Sequence, residues 1–251
     1  MPLTPPPWAG ATLSPPLAAA GIAVVAYCVV AEPLVGRFLH RRMEAAVGRD
    51  PAARTRHYGR LLALEVALGV AALLLAALLP GISLHRLGLG RPQTANPLEL
   101  GIGLGACVAL GIGLALSVVV IWRLRAPLPV VGGDRVRVLV PTTPGERGWF
   151  LGLSLAAGIC EELLFRGLLL ALLSALLGGP PAWLVVLLGA VAFGLAHAYQ
   201  GPVGILVTTL MGALLGGLYA VTGSLLLVML VHAAFDGRMG LLPSDALARR
   251  A

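Results

Sequence analysis

Lysine is absent from all 251 residues, and charged residues of any kind make up only 12% of the chain. Soluble domains carry about 25%, so too few charges are present to cover a water-facing surface. Mean hydropathy is +0.93, and the chain reads as an all-α, polytopic membrane protein lying in a lipid bilayer. The three cysteines, Cys28, Cys107 and Cys160, are scattered through apolar runs without zinc-finger or Cys-x-x-Cys spacing, which excludes a disulfide framework and a thiolate zinc site. The zincin pattern His-Glu-x-x-His is also missing. Met1–Pro16 has no basic residue, so a secretory signal peptide is not expected there. The terminal Ala-Arg-Arg-Ala is not a lipidation signal.

What the chain does have is apolar runs near the roughly 20 residues that cross a bilayer. Seven are expected, at about 16–36, 60–80, 98–122, 149–177, 181–199, 202–221 and 224–241, the last two joined by the tight turn Thr222-Gly223. All eighteen cations are arginine, and the net charge is +7. They cluster at the ends of the runs, as membrane topology requires, and form no nucleic-acid surface. Seven follow the first run (Arg37 to Arg60), five lie between the third and fourth (Arg123 to Arg147), and three stand at the end (Arg238, Arg249, Arg250). The opposite side has only Arg86 and Arg91. By the positive-inside rule the amino terminus is expected outside and the carboxyl terminus in the cytoplasm.

Gly101-Ile102-Gly103-Leu104-Gly105 opens an apolar helix and follows no strand, so the dinucleotide-binding context is lacking. Gly101 with Gly105, and Gly212 with Gly216, fit small-residue packing between membrane helices.

Against this background Glu161-Glu162-Leu163-Leu164-Phe165-Arg166 stands out, with three ionisable groups inside an apolar run. One charge at the bilayer centre costs roughly 2.5–3.5 kcal/mol on insertion scales. Glu162 and Arg166 are four apart and share a helix face, so they can pair. Glu161 is turned away by about 100°, leaving it free for proton transfer. His232 and Asp236 are also four apart, and His197 lies near the end of the fifth run. If these helices meet, the set suits either of two arrangements. A divalent metal such as zinc could be bound by His197, His232, Asp236 and Glu161, or a hydrogen-bonded water could be activated by Glu161.

In this order, Glu-Glu-x-x-x-Arg, then Phe193-x-x-x-His197, then His232-x-x-x-Asp236, the chain resembles the CAAX prenyl protease and bacteriocin-processing family of intramembrane endopeptidases, also called the abortive-infection family. Pro141–Arg147 looks like that family's lead-in, and the likeness covers about residues 140–240. The resemblance implies that Glu161 activates water and that Glu162 and Arg166 support it. It further implies that His197, His232 and Asp236 hold the metal or water and stabilise the oxyanion. Asp236 stands where the family often has asparagine, which favours a cation.

The expected organisation is amino-terminal membrane helices with basic loops over 1–140, a catalytic membrane core over 141–241, and a tail over 242–251. The expected function is hydrolysis of a peptide bond in a peptide or membrane-protein substrate near the cytoplasmic face. The alternatives are a non-catalytic immunity or scaffold protein of the same fold, or a proton or ion carrier. Composition fits a GC-rich bacterial genome, no lipidated substrate is assumed, and no feature specifies an oligomeric state.

Overall fold

The computed structural model describes residues 5–90, 92, 94, 96–124 and 133–241. Arg91, Arg125 and the 242–251 tail with Arg249 and Arg250 lie outside the described residues. Among the described residues there is no strand, and seven rods stand where hydropathy predicts spans. The first comprises α1 (Pro15–Ala26), a π-helical stretch Tyr27–Ala31, and α2 (Glu32–Ala46). Next come α3 (Ala53–Ala77) and α4 (Pro97–Leu124), followed by one turn of helix, α5 (Asp134–Arg137). The fourth rod comprises α6 (Pro144–Glu162), a π-helical stretch Leu163–Leu169, and α7 (Leu170–Leu176). Then come α8 (Ala182–Ala196), α9 (Gly201–Thr222) and α10 (Leu225–Leu241).

Four of these, Pro15–Ala46, Ala53–Ala77, Pro97–Arg123 and Ala198–Thr222, are long and apolar enough to cross a membrane by length and composition. The chain is a multi-pass membrane protein. Two boundaries differ most from the hydropathy reading. Helix runs ten residues past the first predicted span and begins seven residues before the second. Arginine ends an apolar run but is a good helix former, so helix outlasts hydropathy there.

Local chemistry fixes the start of the fourth rod. Pro144 takes the first helical position, and Thr143 and Glu146 form a capping box, each side chain bonded to the other's backbone N–H at 3.2 Å. That box satisfies donors that a helix start would otherwise strand. Arg54 pairs with Glu146 at 3.5 Å and donates to the Val138 carbonyl at 2.9 Å, while the Tyr58 hydroxyl donates to the Leu139 carbonyl at 2.6 Å. These bonds tie the segment before α6 to α3 and set the depth of the two rods relative to each other.

Two glycines let α6 be gripped closely on two sides. A Cβ on Gly69 of α3 would stand 2.6 Å from Cys160 Sγ, and one on Gly158 would stand 2.7 Å from the backbone nitrogen of Ala233 in α10. Of the glycine pairs expected to pack, Gly212 and Gly216 do so, against Ala190 and Val186 of α8. Gly101 and Gly105 do not: a Cβ on either would meet open space, and Gly103 is the one that faces a neighbour, Thr222. The spacing identified a smooth helix face, but the partner helix lies against a different one.

Candidate active site

The six residues singled out by the motifs meet where the fourth rod, α8 and α10 come together. Glu162 is completely buried, and its Oε1 is shared. Arg166 Nη1 donates to it at 2.6 Å, and His232 Nδ1 lies 2.7 Å from it. The bond to His232 spans 70 residues of sequence and has no local spacing to announce it. Arg166 is held on its other sides by the Gly212 carbonyl at 3.3 Å and by the face of Phe193, 4.4 Å from the guanidinium carbon. Every strong interaction of this cation is thus internal, as burial requires.

Glu161 points the other way. Its Oε2 is 3.9 Å from Nε2 of His197 and 3.9 Å from Nε2 of His232. That oxygen is buried and meets no hydrogen-bond partner. His197 caps the C-terminal end of α8, with Nδ1 placed 2.9 Å from the Phe193 carbonyl. Because a carbonyl only accepts, Nδ1 carries the hydrogen and Nε2 faces Glu161. His232 is oriented likewise, Nδ1 toward Glu162 and Nε2 toward Glu161. Phe193 packs on both imidazoles, with ring centroids 4.7 Å from His197 and 5.8 Å from His232. Asp236 Oδ2 lies 3.6 Å from His232 Nε2, and its side chain is the most open of the group, 39% exposed.

The π-helical stretch begins at Leu163, directly after the two glutamates. Such wide turns are frequent at functional sites, and here the wide turn contains Arg166 itself.

The donor spacing bears on the expected zinc. Zinc bound at about 2.0–2.2 Å in a tetrahedron holds its ligands roughly 3.3–3.6 Å apart. Both Glu161–histidine separations, at 3.9 Å, are wider, and only the His232–Asp236 gap of 3.6 Å comes near. Among the described residues no set of three or more His, Cys, Asp or Glu side chains is gathered tightly enough to hold a metal ion. The residues as placed do not fit zinc. Their separations suit a water, whose hydrogen bonds run at about 2.7–3.0 Å.

Two further carboxylates in the amino-terminal rods escaped the motif reading: Glu65 of α3, within electrostatic reach of Glu161, His232 and Asp236, and Glu32 of α2, within reach of His197. Each is a charge inside an apolar run, the same signal that exposed Glu161.

Residues 143–237 match the family described as Rce1-like, the type II CAAX prenyl endopeptidases. The matched segment starts at the capping Thr143 and closes one residue after Asp236, so it contains all six site residues. No curated protein and no solved structure matches the chain.

Proposed function

We propose, from an Rce1-like domain over 143–237 set in a multi-pass membrane protein, that the chain is an intramembrane endopeptidase in which Glu161 activates a water. The observation that carries this reading is the buried, unpartnered Glu161 Oε2, placed 3.9 Å from each of two imidazole Nε2 atoms. A water between the three groups would touch a base and two ring nitrogens at once.

The chemistry follows from that placement. Glu161 takes a proton from the water as the oxygen attacks the scissile carbonyl, and the negative charge moves to the carbonyl oxygen. His232, carrying a proton on Nε2, donates to that oxyanion, while Glu162 Oε1 holds its Nδ1–H and balances the imidazolium. Glu161 then returns its proton to the leaving amine as the C–N bond breaks. The products are a carboxylic acid and an amine, one water having been consumed. Arg166 holds Glu162 in place through their 2.6 Å ion pair, and so acts through it. His197, its Nδ1–H directed at the Phe193 carbonyl, steadies the water through Nε2.

Orientation by the positive-inside rule puts the amino terminus outside, the carboxyl terminus in the cytoplasm and the site toward the cytoplasmic side. The half-open Asp236 marks where a peptide or a membrane-protein tail would enter. A water-filled passage is needed there, because both the attacking water and the peptide must reach a site enclosed by helices.

Glu161→Gln tests the reading. It keeps size and polarity but cannot take a proton, so cleavage should fall by about 10²–10⁴ with membrane abundance unchanged. Undiminished function in the variant would favour a scaffold. Proton flux in proteoliposomes, lost with the substitution, would favour a carrier.

A further inference from the structure

His197 is held by less backbone than the other site imidazole. His232 stands inside α10, whereas His197 follows the last residue of α8 at φ −89° and ψ 21° and leads into a single 3₁₀ turn, Ala198–Gln200. Among the described residues its ring makes one hydrogen bond, from Nδ1 to the Phe193 carbonyl at 2.9 Å. That bond fixes one nitrogen and leaves the ring free to swing about it. Rotation about the last bond of a histidine side chain has only a broad preference, so packing has to aim Nε2 at Glu161.

Two rings supply that packing. Phe193 lies one turn earlier with its centroid 4.7 Å from the imidazole, and Tyr199 lies two residues later at 5.9 Å, with an angle of 36° between the planes. Both fall in the range of roughly 4.5–7 Å over which such rings attract. Tyr199 belongs to a turn of three residues, too short to hold a side chain still, and its support comes from α2. His40 stacks on it with centroids 5.2 Å apart, and a Cβ on Gly36, one turn before His40, would meet the Tyr199 ring at 3.6 Å, an ordinary contact. His40 is itself buried, with Nε2 3.3 Å from Glu44 Oε1 one turn further on. A column of rings thus runs from α2 through His40, Tyr199 and His197 to Phe193, and Nε2 of His197 faces Glu161 at 3.9 Å.

We propose that Tyr199 is a positioning residue for His197, with His40 of α2 as its backing, so that the stacked rings direct the imidazole Nε2 toward the water at Glu161. This rests on the endopeptidase reading and deepens it. The role belongs to the ring faces: Tyr199 acts through His197, and its hydroxyl, which accepts from Gln200 Nε2 at 3.2 Å, takes no part in the reaction. Because the Rce1-like match begins at residue 143, the backing comes from outside it, and an amino-terminal rod sets the aim of a residue in the catalytic segment.

The test uses the full chain in mixed micelles and a proteome-derived peptide library, with products identified by mass spectrometry and the fastest-cut peptide synthesised for kinetics. Tyr199→Leu removes the ring and should lower kcat by about 10–10²-fold with KM little changed, since a misplacement of about 1 Å can cost that much. Tyr199→Phe keeps the ring and should restore kcat. His40→Leu should give a smaller loss of the same kind, restored in His40→Phe. A second readout needs no turnover. In protein labelled with carbon-13 at histidine Cε1, the His197 signal is assigned by its disappearance in His197→Gln. It should broaden in Tyr199→Leu and His40→Leu, as the imidazole gains mobility, and stay sharp in Tyr199→Phe. Tyr199→Phe as slow as Tyr199→Leu overturns the proposal, in favour of a hydroxyl that enters the reaction. A sharp His197 signal in Tyr199→Leu overturns it as well. If Tyr199→Leu does not accumulate, His40→Leu decides: an unchanged kcat with a sharp His197 signal overturns the proposal. A wild type that cuts no peptide, with a His197 signal that responds as described, keeps the positioning and overturns the endopeptidase.

Discussion

Replacing Arg166 by methionine removes the cation from a carboxylate that has no access to water. Glu162 is 0% exposed, and its Oε1 is shared between Arg166 at 2.6 Å and His232 at 2.7 Å. Taking away one partner of a buried ion pair costs about 3–5 kcal/mol, because the other charge is stranded. The Gly212 carbonyl also loses its bond from Nη2, adding about 0.5–1.5 kcal/mol. His232 stays beside Glu162 and offsets part of the loss, so Arg166→Met should cost about 3–5 kcal/mol in total, read by reversible unfolding in mixed micelles. The informative variant is the double one. In Glu162→Gln/Arg166→Met no buried carboxylate is left to strand, and the amide oxygen can still accept from His232 Nδ1. Buried pairs replaced together by neutral groups are often tolerated, so the double variant should be more stable than Arg166→Met alone. The coupling energy should exceed about 1 kcal/mol, as it does for residues in one network. Its cleavage rate should stay low, because an amide does not balance an imidazolium. If the two substitutions simply add, or if Arg166→Met alone is as abundant and stable as the wild type, the shared-carboxylate account of this site is wrong.

Gly158→Ala puts a methyl group 2.7 Å from the backbone of Ala233, one residue after His232. Overpacking of this kind costs about 1–3 kcal/mol, and displacing a catalytic imidazole by 1 Å can cost about 10²-fold in rate. Activity should therefore fall far more than abundance, and full activity would show that α10 does not need this close approach. Asp236→Asn should retain cleavage, since an amide can hold a water as a carboxylate does; its loss would argue that the negative charge is required. Chelator treatment should leave the cleavage rate unchanged and elemental analysis should find well under one equivalent of zinc. Zinc released in step with activity would refute the hydrogen-bonded water.

Legibility in this chain divides by the range of the interaction. Glu162 with Arg166 and His232 with Asp236 could be read because helix geometry turns a spacing of four into a shared face, and because a charge in an apolar run is conspicuous. Span positions were readable for the same reason, until arginine-rich helix carried α2 to Ala46 and started α3 at Ala53. The bond from His232 to Glu162 was not readable, since nothing local encodes which nitrogen of a histidine meets which oxygen 70 residues away. The glycines show the limit most clearly. Gly101 with Gly105 and Gly212 with Gly216 have identical spacing, yet only the second pair meets a helix, because spacing defines a face and tertiary packing decides whether it is used.

Glu32 and Glu65 fall between these cases. Their burial cost was as visible as that of Glu161, but where their rods would pack was not, since Gly36 and Gly69 look like ordinary glycines in apolar runs. Once the close approach at Cys160 is known, Gly69 explains itself. A side chain at Gly69 would meet Cys160 and push α3 outward, whereas one at Gly36 would make only ordinary contact with Ala196 and Tyr199. The amino-terminal helices are therefore not a passive anchor for the catalytic segment. The face of α3 is shaped to fit closely against α6, where Gly69 leaves room for Cys160 beside Glu161.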